Sequence, residues 1–199
     1  EAHLLSAPKL DILLNAVNHQ PVIFSSDSED MISPEEMDQS TIQQMENLPK
    51  LLTFHLTNRI RTNAELSSFI QNMLHLPKKK GNRYYPHIEV VYANNERETQ
   101  TLLDGYFYQH YQYRKTDIPA DLNTTAVRDI NRLVTVLDKR YYYDTEGYLR
   151  SSSRTSGRSS DVRTLFHLLN QAKENLALII EKNEAVYVIL LELLQTHRK

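Results

Sequence analysis

Cysteine and tryptophan are both missing from this 199-residue chain, and glycine occurs only 4 times. Without cysteine there is neither a disulfide framework nor a thiolate metal site. Four glycines, at positions 81, 105, 147 and 157, cannot supply the GxxxxGK[ST] cradle for phosphates, so ATP hydrolysis by this chain alone is not expected. No run reaches the apolar length of a membrane span, and the opening EAHLLSAPKLD has no basic n-region or apolar h-region of a signal peptide. The expectation is a cytoplasmic protein with no membrane partner. A dominant charge is lacking too: 23 Lys and Arg stand against 25 Asp and Glu, so any attraction for nucleic acid must be local. The 8 histidines show no HExxH spacing, and no GxSxG supports a serine nucleophile.

Short apolar runs alternating with longer amphipathic stretches are what is present, the pattern of a parallel sheet covered by helices on both faces. Strands are expected at Val22–Ser25, Leu52–Leu56, Ile88–Tyr92, Leu133–Leu137 and Leu176–Ile180. Helical spacing runs over Ser40–Leu48, Asn63–His75, Glu96–Tyr111, Asp161–Asn175 and Asn183–Thr196. Thr62 or Asn63 before Glu65, Asn94 or Asn95 before Glu98, and Ser160 or Asp161 make plausible caps. Pro77–Pro86 and the Ser/Arg-rich run Arg150–Ser160 are expected to lack regular structure.

Several short segments could carry chemistry. Glu1-Ala2-His3-Leu4-Leu5 would read as an acidic box if an aspartate stood before it, with Glu1 polarising an attacking water; the plain alternative is the start of a helix. Val22-Ile23-Phe24-Ser25-Ser26-Asp27 is an apolar run ending in an acid, where a nucleotide can be sensed at a strand end, unless Ser and Asp merely cap a turn. Arg61, in LTNRIRTNAEL, stands at a strand-to-helix turn from which a guanidinium can reach a phosphate; otherwise it is a surface arginine beside an N-cap. Lys78, Lys79, Lys80 and Arg83 run into Tyr84-Tyr85, cations beside rings, as single-stranded nucleic acid is held. Tyrosines that pack a half-buried sheet face are the competing explanation.

Taken in order, these segments resemble the C-terminal half of a bacterial superfamily-one helicase-like ATPase of the Schlafen-associated type. The resemblance rests on Glu1–Leu5, VIFSSD at Val22–Asp27, LTNRIRTNAELSSFIQNML at Leu56–Leu74 and IEVVYANN at Ile88–Asn95. It also rests on LVTVLDKRYYYDTEGYL at Leu133–Leu149 and the closing LLNQAKENLALIIEKNEAVYVILLELL. It implies a RecA-like fold, with residues 1–50 a remnant of the first ATPase lobe and 51–199 the second lobe. Glu1 would match the catalytic acid, Asp27 a nucleotide-sensing acid and Arg61 an arginine that contacts the γ-phosphate. ATP and Mg²⁺ would serve a complete parent protein, DNA or RNA would run across it, and the missing lobe would be supplied in cis or in trans. The start at Glu1 looks like a cut through a longer protein. Departures from the pattern are Asp30, Arg128-Asp129-Ile130-Asn131 and Asn170-Gln171-Ala172-Lys173, the last where an arginine finger is expected. They open the alternative of a non-catalytic, regulatory or protein-binding relative.

Overall fold

In the computed structural model the described residues are 2, 5–17, 20–27, 31–38, 41–49, 52–54, 63–78, 84–116, 129–153 and 161–195. The chain divides into two compact units, Glu1–Asn58 and Arg59–Lys199.

In the first unit, Ser6 precedes helix α1 (Ala7–Ala16), whose second residue, Pro8, needs no intrahelical partner for its nitrogen. Two single-turn helices follow, α2 (Pro34–Asp38) and α3 (Ile42–Glu46). Leu10 of α1 and Met45 of α3 form a small core with Ala2, against which Leu5, Leu14, Phe24 and Ile42 pack. The Thr41 hydroxyl donates to the Leu5 carbonyl at 3.1 Å, fastening α3 to the chain ahead of α1. Val22–Ser25, expected as a strand, has no regular structure, and Ile23 is 96% exposed. Composition favoured a strand, but a strand exists only by its ladder. The tie found here is the bond from Ala2 N to the Ser25 carbonyl, 2.8 Å. Leu52–Phe54 is likewise irregular, and the rest of the strand expected over Leu52–Leu56 lies outside the described residues.

The second unit is mixed α/β with a four-stranded, wholly parallel sheet flanked by helices, consistent with a RecA-like fold. Its elements are α4 (Ala64–Leu74), a 3₁₀ turn (Leu76–Lys78), β1 (Ile88–Ala93), α5 (Glu96–Tyr108), β2 (Gln112–Tyr113) and β3 (Ile130–Leu137). A hairpin of β4 (Tyr141–Tyr143) and β5 (Leu149–Ser151) follows, then α6 (Asp161–Leu169), β6 (Ala172–Glu181) and α7 (Glu184–Gln195). The strand order is β1-β6-β3-β2. The last strand of the chain is thus inserted between the first and third, with Leu176–Ile180 fully buried. Such an unbroken apolar run is what a strand covered on both faces requires.

Alternation along the strands assigns the faces. Val91 and Ala93, Val134 and Val136, and Ala177 and Ile179 pack against Leu102, Leu103 and Tyr106 of α5, with Tyr111 beside them. Residues of the other parity meet α4, α6 and α7, as the ring contact of Tyr92 with Tyr187 illustrates, 5.2 Å between centroids.

Four sequence expectations shift. The helix expected over Asp161–Asn175 ends at Leu169 because β6 already begins at Ala172, where Ile130 N donates to the Gln171 carbonyl and opens the ladder with β3. The helix expected to reach Tyr111 stops at Tyr108: His110 takes a left-handed φ of 65° and turns the chain toward β2. Of Ser40–Leu48, only Ile42–Glu46 is helical. Part of the supposedly irregular Arg150–Ser160 run is strand, since Arg150 and Ser151 pair with Tyr142 and Tyr141.

The hairpin turn contains a tight approach. Gly147 has φ +81°, and a Cβ there would lie 2.8 Å from Pro77 Cδ. Leu76 N also donates to the Gly147 carbonyl at 3.0 Å. Gly105, inside α5, faces open space instead. Gly147→Ala is therefore expected to destabilise the protein by about 1–3 kcal/mol. Gly105→Ala is expected to stabilise it by about 1 kcal/mol, and urea denaturation of both variants measures the two opposite signs.

Candidate functional site

Polar side chains from three distant segments meet where β1, β6 and β3 begin. Asn63 caps α4, its Oδ1 accepting from Leu66 N at 2.8 Å, while its Nδ2 donates to the Lys173 carbonyl at 3.1 Å. One side chain thereby closes a helix end and ties it to the first turn of β6. Lys173 Nζ lies 3.1 Å from Asp129 Oδ1, and Ile130 N is held by the Gln171 carbonyl. Beside them Glu65 grips His87 twice, accepting from its backbone N at 2.9 Å and meeting its Nδ1 at 2.8 Å. The segment that follows Arg61, the Asp129–Asn131 segment and the Gln171–Lys173 segment are thus neighbours at the amino edge of the sheet.

At the opposite, carboxyl edge, where open α/β sheets bind ligands, the first turn after β1 is shut. Asn95 Oδ1 accepts from Glu98 N at 3.0 Å, and Glu98 in return accepts from Asn94 N at 2.8 Å and Asn95 Nδ2 at 3.0 Å. This reciprocal cap places a carboxylate where a phosphate would dock. The bonds from the Asn94 backbone and side chain hold the Glu98 carboxyl below the usual range. Next to it the Thr99 hydroxyl donates to Glu181 at 2.7 Å, and Asn183 Nδ2 donates to the carbonyls of Asp138 (3.0 Å) and Tyr141 (2.7 Å). Arg140 joins Asp138 at 2.9 Å and Asp161 at 3.7 Å, and Asp161 also accepts from the hydroxyls of Ser151 and Ser153. Among the described residues, Asn94, Asn95, Glu98, Thr99, Asn183, Asp138, Arg140 and Asp161 at this edge all serve structural bonds.

The hairpin fixes the start of the lysine segment. Its turn is built on Asp144, whose Oδ1 accepts from Glu146 N (3.0 Å) and Tyr148 N (2.9 Å), and whose Oδ2 accepts from Arg150 Nε (2.8 Å). The Tyr148 ring stacks on His75 at 3.8 Å, just past α4, and Gly147 lies against Pro77. At the far end of the segment Tyr85 is buried edge-on against Phe69, its hydroxyl accepting from Asn72 Nδ2 at 3.0 Å, while Tyr84 is 68% exposed. Burial pushes the Tyr143 phenol above its ordinary value, which suits its role as a donor to the Met73 carbonyl at 2.8 Å.

Of the residues singled out in the sequence, Lys78 closes the 3₁₀ turn and Tyr84 stands exposed at the other end of the basic segment. Lys79, Lys80 and Arg83 lie outside the described residues, as do Glu1, Arg61, Asp30, and Arg128. Asp27 is exposed in the irregular part of the first unit, so it does not stand at the end of a strand. Expectations of ATP and Mg²⁺ rest on Glu1 and Arg61, and among the described residues no three His, Asp or Glu side chains cluster as a metal site would need. Sequence reasoning missed Asn63 as a tether, the Glu65–His87 pair and the hairpin. The last had a signal, since Asp144-Thr145-Glu146-Gly147 between tyrosine-rich runs is a turn composition.

No helix among the described residues is long and apolar enough to cross a membrane. No family model matches the chain, and comparison with the curated proteins and with the solved structures yields no similar protein.

A pH dependence follows from Asp144. Desolvation raises its carboxyl pKa, but the Arg150 bond and the two backbone donors outweigh it, and the net position is below the ordinary value. A depressed folded-state pKa contributes stability above the unfolded value of about 3.9 and loses it as pH falls through the folded value. Wild type should therefore melt above Asp144→Asn at about pH 7, and the gap should close as the pH falls below the ordinary carboxylate value, read by thermal denaturation across pH.

Proposed function

We propose that this chain supplies the second RecA-like lobe of a cytoplasmic helicase-like ATPase. It acts with a lobe that carries the phosphate-binding loop, and it contacts nucleic acid through Lys78, Lys79, Lys80, Arg83 and Tyr84. The observation that carries the reading is the meeting of Asn63, Asp129 and Gln171–Lys173 at the amino edge of the sheet. The segment after Arg61 and the segment in which the resemblance expects an arginine finger touch there, as two parts of one nucleotide-facing surface must.

In this role the chain binds and orients; it does not hydrolyse ATP by itself. When bound, ATP and Mg²⁺ would provide the phosphoryl chemistry, and Arg61 would place a fixed positive charge against the γ-phosphate. The pinned ends of the lysine segment, Gly147 against Pro77 and Tyr85 against Phe69, would present cations and the Tyr84 ring to a polyanion.

One observation favours the second reading, a non-catalytic scaffold. The cation of the Asn170–Lys173 segment is engaged by Asp129 rather than offered to a ligand. Equilibrium binding separates the two. Single-stranded DNA should bind with salt-sensitive affinity, and the triple variant Lys78→Ala/Lys79→Ala/Lys80→Ala should lower the slope of log K against log salt by about 2. Binding of a fluorescent ATP analogue should be Mg²⁺-dependent and lost in Arg61→Ala. Failure of wild type to bind either ligand would overturn the motor-lobe reading in favour of the scaffold.

A further inference from the structure

A second cluster of rings and cations stands apart from the lysine segment, where α5 ends and the edge strand β2 begins. Phe107 and Tyr108 are the last residues of α5 and are 73% and 81% exposed, with ring centroids 6.2 Å apart and planes at 71°. Tyr106 of α5 and Tyr111 just past it are buried, at 5% and 7% exposure; Phe107 and Tyr108 are not. Tyr113 pairs in register with Val134, so it stands on the same face of the sheet as α5, and it is 38% exposed. Arg114 and Lys115 continue from it, both exposed. Arg132, also exposed and on the α5 face of β3, donates from Nη1 to the Gln109 carbonyl at 3.0 Å, where the helix ends.

Packing does not account for this surface. Gly105, one turn before Tyr108, costs helix stability and meets no neighbour that requires it. The nearby carboxylates are already engaged: Asp104 accepts from Gln100 at 2.8 Å and Glu89 from the Tyr106 hydroxyl at 2.8 Å. The exposed residues that follow the two rings in sequence include amides and cations, Gln109, Gln112, Arg114 and Lys115, and no aliphatic side chain. Exposed π-faces interleaved with positive charge complement a polymer that carries flat bases on a phosphate chain.

We infer that Phe107, Tyr108 and Tyr113, with Arg114, Lys115 and Arg132, form a second contact surface for single-stranded nucleic acid, the rings stacking unpaired bases and the cations meeting phosphates. A duplex keeps its bases stacked on each other, so the surface selects single strands. The choice of polymer rests on the proposed function, but the residues are different, so the two can fail separately.

The test is fluorescence anisotropy of a labelled oligothymidylate of about 20 nucleotides, a length that spans more than one stacking site. The proteins are the full chain, Phe107→Ser/Tyr108→Ser, Arg114→Ala/Lys115→Ala, and the triple Lys78/Lys79/Lys80→Ala variant. Loss of the two exposed rings should weaken single-strand binding about tenfold, with an unchanged melting temperature showing that the fold is intact. Loss of the two cations should lower the salt slope by about 1.4. A duplex of the same length should gain nothing from the rings. Affinity unchanged in both patch variants, with loss confined to the lysine variant, overturns the inference and leaves the proposed function standing. No binding by wild type overturns both. A dimer seen by sedimentation velocity, dissolved by Phe107→Ser/Tyr108→Ser without any nucleic-acid binding, overturns it in favour of self-association.

Discussion

A parallel strand with neighbours on both sides has no face or edge left for water, and β6 is such a strand. Its backbone groups pair with β1 and β3, and Leu176–Ile180 are fully buried. Everything else in the second unit answers to that condition. One layer of apolar side chains has to come from α5, the other from α4, α6 and α7, and each helix must run the length of the sheet to give it. β6 follows β1 and β3 in sequence and lies between them in space, so the sheet closes only once β6 has been added. β1 and β3 are joined through a strand that lies more than thirty residues after β3, a high contact-order arrangement.

The same condition separates the two ends of the sheet chemically. Where the strands finish, turns must reverse the chain into helices, and the polar side chains there are spent on those reversals: Glu98 and Asn95 on α5, Asn183 on α7, Asp138 and Arg140 on the hairpin. Where the strands begin, the incoming segments arrive from α4, from residue 129 and from α6, and are held to one another by Asn63, Gln171 and the Lys173–Asp129 pair. In that pair Lys173 is the more buried partner, 22% exposed against 54% for Asp129. The carboxyl edge could admit a phosphate only by breaking a reciprocal cap.

Local signals were the ones that could be read from sequence alone. Asn63 and Asn95 cap the helices expected of them because a cap is decided within four residues. The apolar runs at Ile88 and Leu133 are strands, the first at an edge of the sheet with Glu89 exposed and the second largely buried over Leu133–Leu137. Pairing was not legible. Val22–Ser25 has a strand's composition without a ladder, whereas Lys173-Glu174-Asn175 has a helical continuation's composition and is strand because β3 lies beside it. Gln112–Tyr113 is a strand for the same reason. The lysine segment and Tyr84 could be picked out as cations next to a ring. That Asn63 and Lys173 would touch across 110 positions had no local signature at all.

Pinning decides how much a basic segment is worth. A free loop that binds a polyanion must give up conformational entropy, of the order of 1–2 kcal/mol for each residue it fixes. Here Pro77 is lodged against Gly147 and Tyr85 against Phe69 and Asn72, so both ends of the segment between them are set by the fold. The hairpin that holds the first end is itself held by Asp144, which organises its turn, and by Arg140 and Asn183, which join its base to α6 and α7. A chain of contacts therefore runs from the buried sheet, through the hairpin, to the start of the lysine segment. By contrast Phe107 and Tyr108 sit on a regular helix, and a stacking surface made of them needs no pinning beyond α5 itself. On the proposed reading the two surfaces would differ in character: the helix-borne rings would depend on base stacking, while the basic segment would depend on charge and be the more sensitive to salt.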